Sequence, residues 1–192
     1  MIRDCRNIYI CPLPNRRSWT ATRVIQIISK ILGFELVGLG SYGTNFFPQG
    51  VRFDHNFYQQ AKIDFNSRWD SFFFVGDEKR ENELFDLLGC SNEAYIFLHE
   101  DVTRNFIIDR QKILPALRII QPLSISSGFS IFDYRKVIER ATELHLIESS
   151  FAAFVESLDL EVQKYAHRYA RGHAANDYRH EFTYRSNWTI LK

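Results

Sequence analysis

The sequence predicts an α/β fold, a mainly parallel sheet layered between helices in one compact domain over residues 1–192. Three observations carry that prediction. Short apolar runs recur at Ile8–Cys11, Phe34–Leu39, Ala94–Leu98, Leu117–Ile120 and Leu144–Ile147, with segments of helical periodicity between several of them. Ala94–Leu98 is apolar almost without interruption, as a strand covered on both faces must be. A chain of 192 residues with 45% hydrophobic and 24% charged side chains can also bury a substantial single core.

Each element has its own signal. Ile8–Cys11 reads as a first strand stopped by Pro12 and Pro14. Val24, Ile27, Ile28, Ile31 and Leu32 form a helical stripe over Thr22–Leu32, closed by Gly33. Phe34–Leu39 follows as a second strand, and strand–helix–strand units of this kind build parallel sheets. The glycines after it (Gly38, Gly40, Gly43) do not fit the GxGxxG fingerprint and follow the wrong strand for dinucleotide binding. Asn45–Asp77 is irregular and rich in aromatics, from Phe53 to Phe74, and is expected to form one or two short helices over the sheet. Glu78–Leu88 is a charged amphipathic helix with Leu84, Phe85, Leu87 and Leu88 on its apolar side and Gly89 at its end.

Ala94–Leu98 is the strongest strand. Phe106–Ile108 and Leu117–Ile120 read as two more, and Pro122–Ser130 as a loop. Phe132–Leu158 then parses as helix, strand, tight turn and helix. Asp133 is the expected N-cap, Val137, Ile138, Ala141 and Leu144 a helical face, Leu144–Ile147 a buried strand, and Phe151, Phe154, Val155 and Leu158 a second helical face. Val162–Tyr169 precedes a basic, histidine-containing stretch, and Trp188–Leu191 is a last strand.

Composition excludes several classes. A formal charge of +1 argues against the large basic field that dominates nucleic-acid binding. Cys5, Cys11 and Cys90 have no CxxC spacing, which points to buried thiols in a reducing compartment and not to a disulfide frame or zinc site. No segment approaches the ~18 apolar residues of a membrane span, and the N-terminus lacks a signal-peptide core. A soluble cytoplasmic protein is expected, with self-association left open. Neither a P-loop, GxSxG nor HExxH occurs.

Three clusters carry candidate chemistry, each at a predicted strand end, where ligands of open α/β sheets bind. His99, Glu100, Asp101 and Arg104 follow the best strand; an acid or histidine there can take a proton from a hydroxyl, and an arginine can pair with phosphate. Ser149-Ser150, with Phe151, starts a helix, where hydroxyls and backbone N–H groups favour an anion. Tyr165, His167, Arg168, Tyr169, Arg171 and His173 alternate aromatic and basic residues, and a basic residue there could clamp a diphosphate. His167, His173 and His180 have no metal-ligand spacing, so no metal is expected.

The strand ending in His99-Glu100-Asp101, paired with the later HLIESSFAAF stretch, resembles the donor-binding half of GT-B glycosyltransferases, most of all the fucosyltransferase branch. There, one strand ends in a His-x-Arg-Arg-x-Asp type motif and a later strand runs into a Ser-Ser or Ser-x-Phe turn that opens a helix. The similarity covers roughly residues 95–169. This sequence departs from it in placing Glu100-Asp101 after His99, with Arg104 the nearest arginine. The resemblance implies a GT-B-like, Rossmann-like three-layer domain, residues 91–192 forming the donor-binding part and 1–90 a reduced acceptor-side part. It also implies metal-independent transfer of a sugar from a nucleotide-diphosphate donor to a glycan or other hydroxyl acceptor, with no further cofactor. Asp101, Glu100 or His99 would be the base; Ser149, Ser150, Phe151 and Arg104 or Arg171 would hold the donor phosphates; and the aromatics of 53–74 would offer the acceptor surface. The alternative is a non-catalytic nucleotide- or sugar-binding protein that kept the fold.

Overall fold

A computed structural model describes residues 19–33, 51–113, 117–124, 127–171 and 181–192. The expected strands at 8–11 and 34–39, together with His173 and His180, lie outside these residues. Among the described residues five strands form one sheet: β1 (Tyr95–His99), β2 (Arg118–Ile120), β3 (Glu143–Leu146), β4 (Gln163–His167) and β5 (Thr189–Leu191). All four pairings are parallel and the order is β2-β1-β3-β4-β5. The fold is therefore an α/β layered sheet of Rossmann-like type, as the apolar runs predict.

The helices are α1 (Trp19–Ile31), α2 (Phe53–Ala61), α3 (Ser67–Asp70), α4 (Glu78–Leu87), α5 (Arg135–Glu139) and α6 (Ser150–Ser157). Alternation along the strands decides what each sheet face buries. Tyr95, Phe97, Leu144 and Leu146 point to the face covered by α4, α5 and α6, where they meet Leu84, Phe85, Val137, Ile138, Ala152, Phe154 and Val155. Ile96, Leu98 and Ile147 point to the other face, which is covered by Ile108, Ile113, Phe106 and Ala170 from short 3₁₀ turns and their flanks.

Several sequence expectations change. Phe106–Ile108 is not a strand: both edges of β1 are already taken, by β2 and β3, so these residues have no ladder to join. They make one isolated antiparallel bridge, Asp101 with Phe106, and Ile108 is buried by its side chain alone. Asp133 is not the N-cap of its helix. A 3₁₀ turn at Ile131–Tyr134 precedes α5, Ser130 caps it, and Asp133 closes the reciprocal capping box by accepting from Ser130 N at 2.6 Å. The helical face expected to run on to Leu144 stops at Glu139, and Leu144 belongs to β3. Leu87 is exposed, because α4 packs through Leu84 and Phe85. Gly89 closes α4 at φ +63°, and Arg118 donates to the Leu88 and Gly89 carbonyls that the helix leaves open.

Helix α6 positions the site. Ser149 is extended (φ −152°) and its Oγ accepts from Ala152 N, an N-cap on a helix only eight residues long. Phe151, Ala152, Phe154 and Val155 are buried, and Phe154 lies among Phe72, Phe74 and Phe132. Burial of a side chain of this size contributes about 1.5–3 kcal/mol, so the helix is held mainly by its face. Its far end is tied by Glu156, whose buried carboxylate accepts from Trp69 Nε1, Arg185 N, Ser186 N, Ser186 Oγ and Trp188 Nε1. That knot anchors α3 and the approach to β5 to one point on α6.

Candidate functional site

In this strand order β1 is followed by β2 on one side and β3 on the other, which makes the gap between β1 and β3 the topological switch point of the described sheet. Ligands of open α/β sheets bind at the strand carboxyl ends at such a point. A cleft of about 570 Å³ opens there, lined by His99, Asp101, Arg104 and Phe106 from the β1 exit, Ile147 to Phe151 from the β3 exit, and Arg171 and Phe182. Its volume is that of a small-molecule site.

The two strand exits touch directly. Ser149 Oγ and His99 Nδ1 are 3.0 Å apart, and the His99 ring lies 4.6 Å from that of Phe151. Burial pushes the His99 imidazole down to about 4, against the pull of Asp101 and Glu100, so it is neutral at physiological pH. Either tautomer satisfies the serine. One presents Nε2 as a donor to an anion; the other presents it as an acceptor for a proton.

Arg171 Nη1 donates to the carbonyl oxygen of Glu148 at 2.5 Å, which fixes its guanidinium beside the first turn of α6. The Phe106 ring supports both cations of the cleft, Arg171 at 5.2 Å and Arg104 at 5.9 Å. Asp101 is committed elsewhere: it accepts from Thr103 Oγ1 at 2.6 Å and Arg104 N at 3.1 Å, and pairs with Arg104 Nε at 2.7 Å. Those contacts, the Thr103 hydroxyl first, hold it below the usual carboxylate range.

Of the eight residues to which the resemblance gives a base or donor-binding role, seven line this one cleft: His99, Asp101, Arg104, Ser149, Ser150, Phe151 and Arg171. Glu100 does not. Its carboxylate accepts from Ile108 N, Arg110 and Gln121, and those bonds outweigh burial to keep it below its ordinary value. Tyr165 and His167 point to the opposite sheet face, and Arg168 pairs with Glu148 and Glu181. None of residues 54–74 lines the cleft; Trp69, Phe72 and Phe74 pack on α6 and its surroundings. Among the described residues no group of three or more His, Cys, Asp or Glu side chains could hold a metal ion.

Glu148, Phe106, Ile147 and Phe182 line the cleft without having stood out in the sequence. Glu148 reads there only as the residue that stops an apolar run. Its signal was a charge set directly between a buried strand and a helix cap, where solvent is not available to it.

Fold and site together define a Rossmann-like α/β domain with a polar cleft at its switch point. Comparison with protein-family models, curated proteins and solved structures finds no match for the chain. Among the described residues no helix is long and apolar enough to cross a membrane.

Proposed function

We propose that this chain is a glycosyltransferase that moves a sugar from a nucleotide-diphosphate donor to a hydroxyl acceptor. The observation that carries the reading is the convergence of His99, Ser149-Ser150 and Arg171 on one cleft at the β1/β3 switch point. The diphosphate lies against the first turn of α6, where Ser150 and Phe151 supply backbone N–H groups at the positive end of the helix dipole. Arg171 and Arg104 face its oxygens. In transfer, the bond from the anomeric carbon to the diphosphate oxygen breaks and a bond to the acceptor oxygen forms. The acceptor proton passes to His99 Nε2, and the nucleoside diphosphate leaves with the bonding pair. Negative charge grows on that diphosphate in the transition state, so fixed donors aimed at it favour reaction over ground-state binding.

One observation favours the second reading, a non-catalytic nucleotide- or sugar-binding protein. Both carboxylates at the β1 exit are engaged by arginines and held as weak bases, which leaves His99 alone to take a proton.

The test is thermal unfolding with inorganic pyrophosphate and a panel of nucleoside diphosphates and nucleotide sugars. A ligand at a hundred times its Kd stabilises the native state by about 2.7 kcal/mol, so binders raise the midpoint by several degrees. No shift with any of these at millimolar concentration rejects both readings. A shift without sugar transfer or donor hydrolysis, in wild type as in His99→Ala, selects the binding protein.

A further inference from the structure

Ser149 and His99 meet at 3.0 Å, and what each has left over after that bond differs between the two neutral tautomers of the histidine. A serine hydroxyl has one proton to give and two lone pairs to offer. Ala152 N donates to one lone pair at 3.5 Å, as the N-cap bond of α6. His99 Nδ1 then takes either the proton or the second lone pair. His99 Nε2 has no partner among the described residues and, unlike Glu148 Oε2 and Arg171 Nε, is not shut off from solvent. It therefore opens onto the cleft that His99 lines.

In the first arrangement Ser149 gives its proton to Nδ1. The pair is then satisfied without any ligand, but His99 carries its own proton on Nε2 and cannot act as a base there. In the second, Nδ1 keeps the proton and donates it to Ser149. Nε2 is then a bare lone pair fit to accept a proton, while the Ser149 hydroxyl proton has no acceptor among the described residues. The second arrangement needs an acceptor from outside the chain. Ser149 is half-buried, lines the cleft and stands directly before the exposed Ser150, at the end of α6 that favours an anion. A phosphate oxygen there is a stronger acceptor than a neutral imidazole nitrogen, because its bond is charge-assisted. Burial holds the His99 imidazole down to about 4, so the ring stays neutral and only the position of its proton is open to change.

We propose that Ser149 is the positioning residue that sets the tautomer of His99 and, with it, whether the cleft has a base. In the empty cleft Ser149 donates to Nδ1 and Nε2 is protonated. A phosphate at the start of α6 draws the Ser149 proton to itself as the hydroxyl turns. Nε2 then gives its proton to water, Nδ1 takes one from water and donates to Ser149, and the charge of the pair is unchanged. Nε2 is left free to receive the proton of the acceptor hydroxyl. The inference rests on the proposed donor site and deepens it, since the base becomes available only once the donor phosphate is bound.

Ring-nitrogen NMR of the full chain at neutral pH tests this, with inorganic pyrophosphate as the probe and the His99 signals assigned by their loss in His99→Gln. A charge-assisted hydrogen bond is worth a factor of about 10 to 100, so saturating pyrophosphate should move the ratio of Nδ1–H to Nε2–H at least about tenfold toward Nδ1–H. Ser149→Ala should hold one tautomer with and without pyrophosphate. Ser149→Thr, which keeps a hydroxyl and a capping side chain, should reverse as wild type does. Wild type and Ser149→Thr decide the matter should loss of the cap unfold the alanine variant. If calorimetry shows pyrophosphate bound but His99 keeps one tautomer, becomes doubly protonated, or reverses equally in Ser149→Ala, the inference is overturned and the donor-site reading survives. If neither pyrophosphate nor any nucleoside diphosphate binds, both fall.

Discussion

On the sheet face away from α6, four side chains form a buried relay whose protonation can be worked out and then perturbed. Glu143 Oε2 is 3.0 Å from His145 Nε2, His145 Nδ1 is 2.9 Å from His167 Nε2, and His167 Nδ1 is 3.0 Å from Tyr169 Oη, which accepts from Asp109 N at 2.9 Å. The carboxylate can only accept, so His145 carries its proton on Nε2 and accepts on Nδ1. His167 must then donate from Nε2 and accept on Nδ1, and Tyr169 must donate its hydroxyl proton. One direction of donation satisfies every atom, and it requires both histidines to be neutral. Burial pushes His167 down to about 3, with His145, Lys112 and Arg110 adding to it against Asp109; His145 is lowered too, by burial against the pull of Glu143. In the unfolded chain each titrates near 6.5, so below that pH the unfolded state binds protons that the native state refuses, and stability falls on acidification. From pH 6.5 to 5, His167 alone accounts for about 2 kcal/mol, at about 1.4 kcal/mol per pH unit. The perturbation is His167→Gln, read by urea unfolding at pH 7 and pH 5. Loss of two buried hydrogen bonds should cost the variant about 1–3 kcal/mol at pH 7. At pH 5 the gap to wild type should narrow by about 2 kcal/mol, because glutamine does not titrate. A gap of equal size at the two pH values, or ring-nitrogen NMR showing either histidine doubly protonated at pH 6, would refute the reasoning.

Three further outcomes follow from the same contacts. Arg171→Gln should weaken inorganic pyrophosphate binding by about 10- to 100-fold, the range of a charge-assisted contact of 1.5–3 kcal/mol, while the unfolding midpoint moves little; calorimetry measures the first and a thermal melt the second. Ser149→Ala removes the N-cap of α6 and the partner of His99, at a cost of about 1–2 kcal/mol in urea unfolding. Glu156→Leu leaves both indole N–H groups and two backbone N–H groups without an acceptor and should cost about 3 kcal/mol or more. Burial alone would raise the Glu156 carboxyl, but the Ser186, Arg185 and Trp188 hydrogen bonds outweigh it and hold it below its ordinary value. Its contribution is therefore present above the unfolded pKa of about 4.3 and lost as pH falls through the lower folded value, so the urea midpoint should fall further between pH 5 and pH 3 in wild type than in the variant.

What the sequence made legible was local. His99, Asp101 and Arg104 follow an unmistakable apolar strand, and Ser149-Ser150 stands where a strand turns into a helix; both signals fit within ten residues. The parallel-sheet reading holds in the described residues because parallel strands covered on both faces must be continuously apolar, as Ala94–Leu98 is. What could not be read depends on partners distant in sequence. Glu148 looks like a stop signal until Arg168, twenty residues on, is seen to occupy one of its oxygens. His145 and His167 lie in strand-like runs with no sign that β3 and β4 set them side by side. Glu100 and Asp101 look alike in sequence, yet successive residues diverge at the strand exit, so one turns to Arg110 and the other to the cleft. Phe106–Ile108 has strand-forming residues, and only the sheet order shows that no edge of β1 is vacant for it.

The charges around the cleft bear on which ligand it can hold. Asp101 is matched by Arg104; Arg168 is shared between Glu148 and Glu181; and Arg171 balances the remaining carboxylate. These groups sum to zero, and His99 adds nothing while it is neutral. A free anion therefore gains little from the overall field and must depend on where the charges lie. Arg171 is fixed beside the first turn of α6 by the Glu148 carbonyl, and Arg104 is tied to Asp101, so any selectivity for an anion comes from that placement and not from net charge.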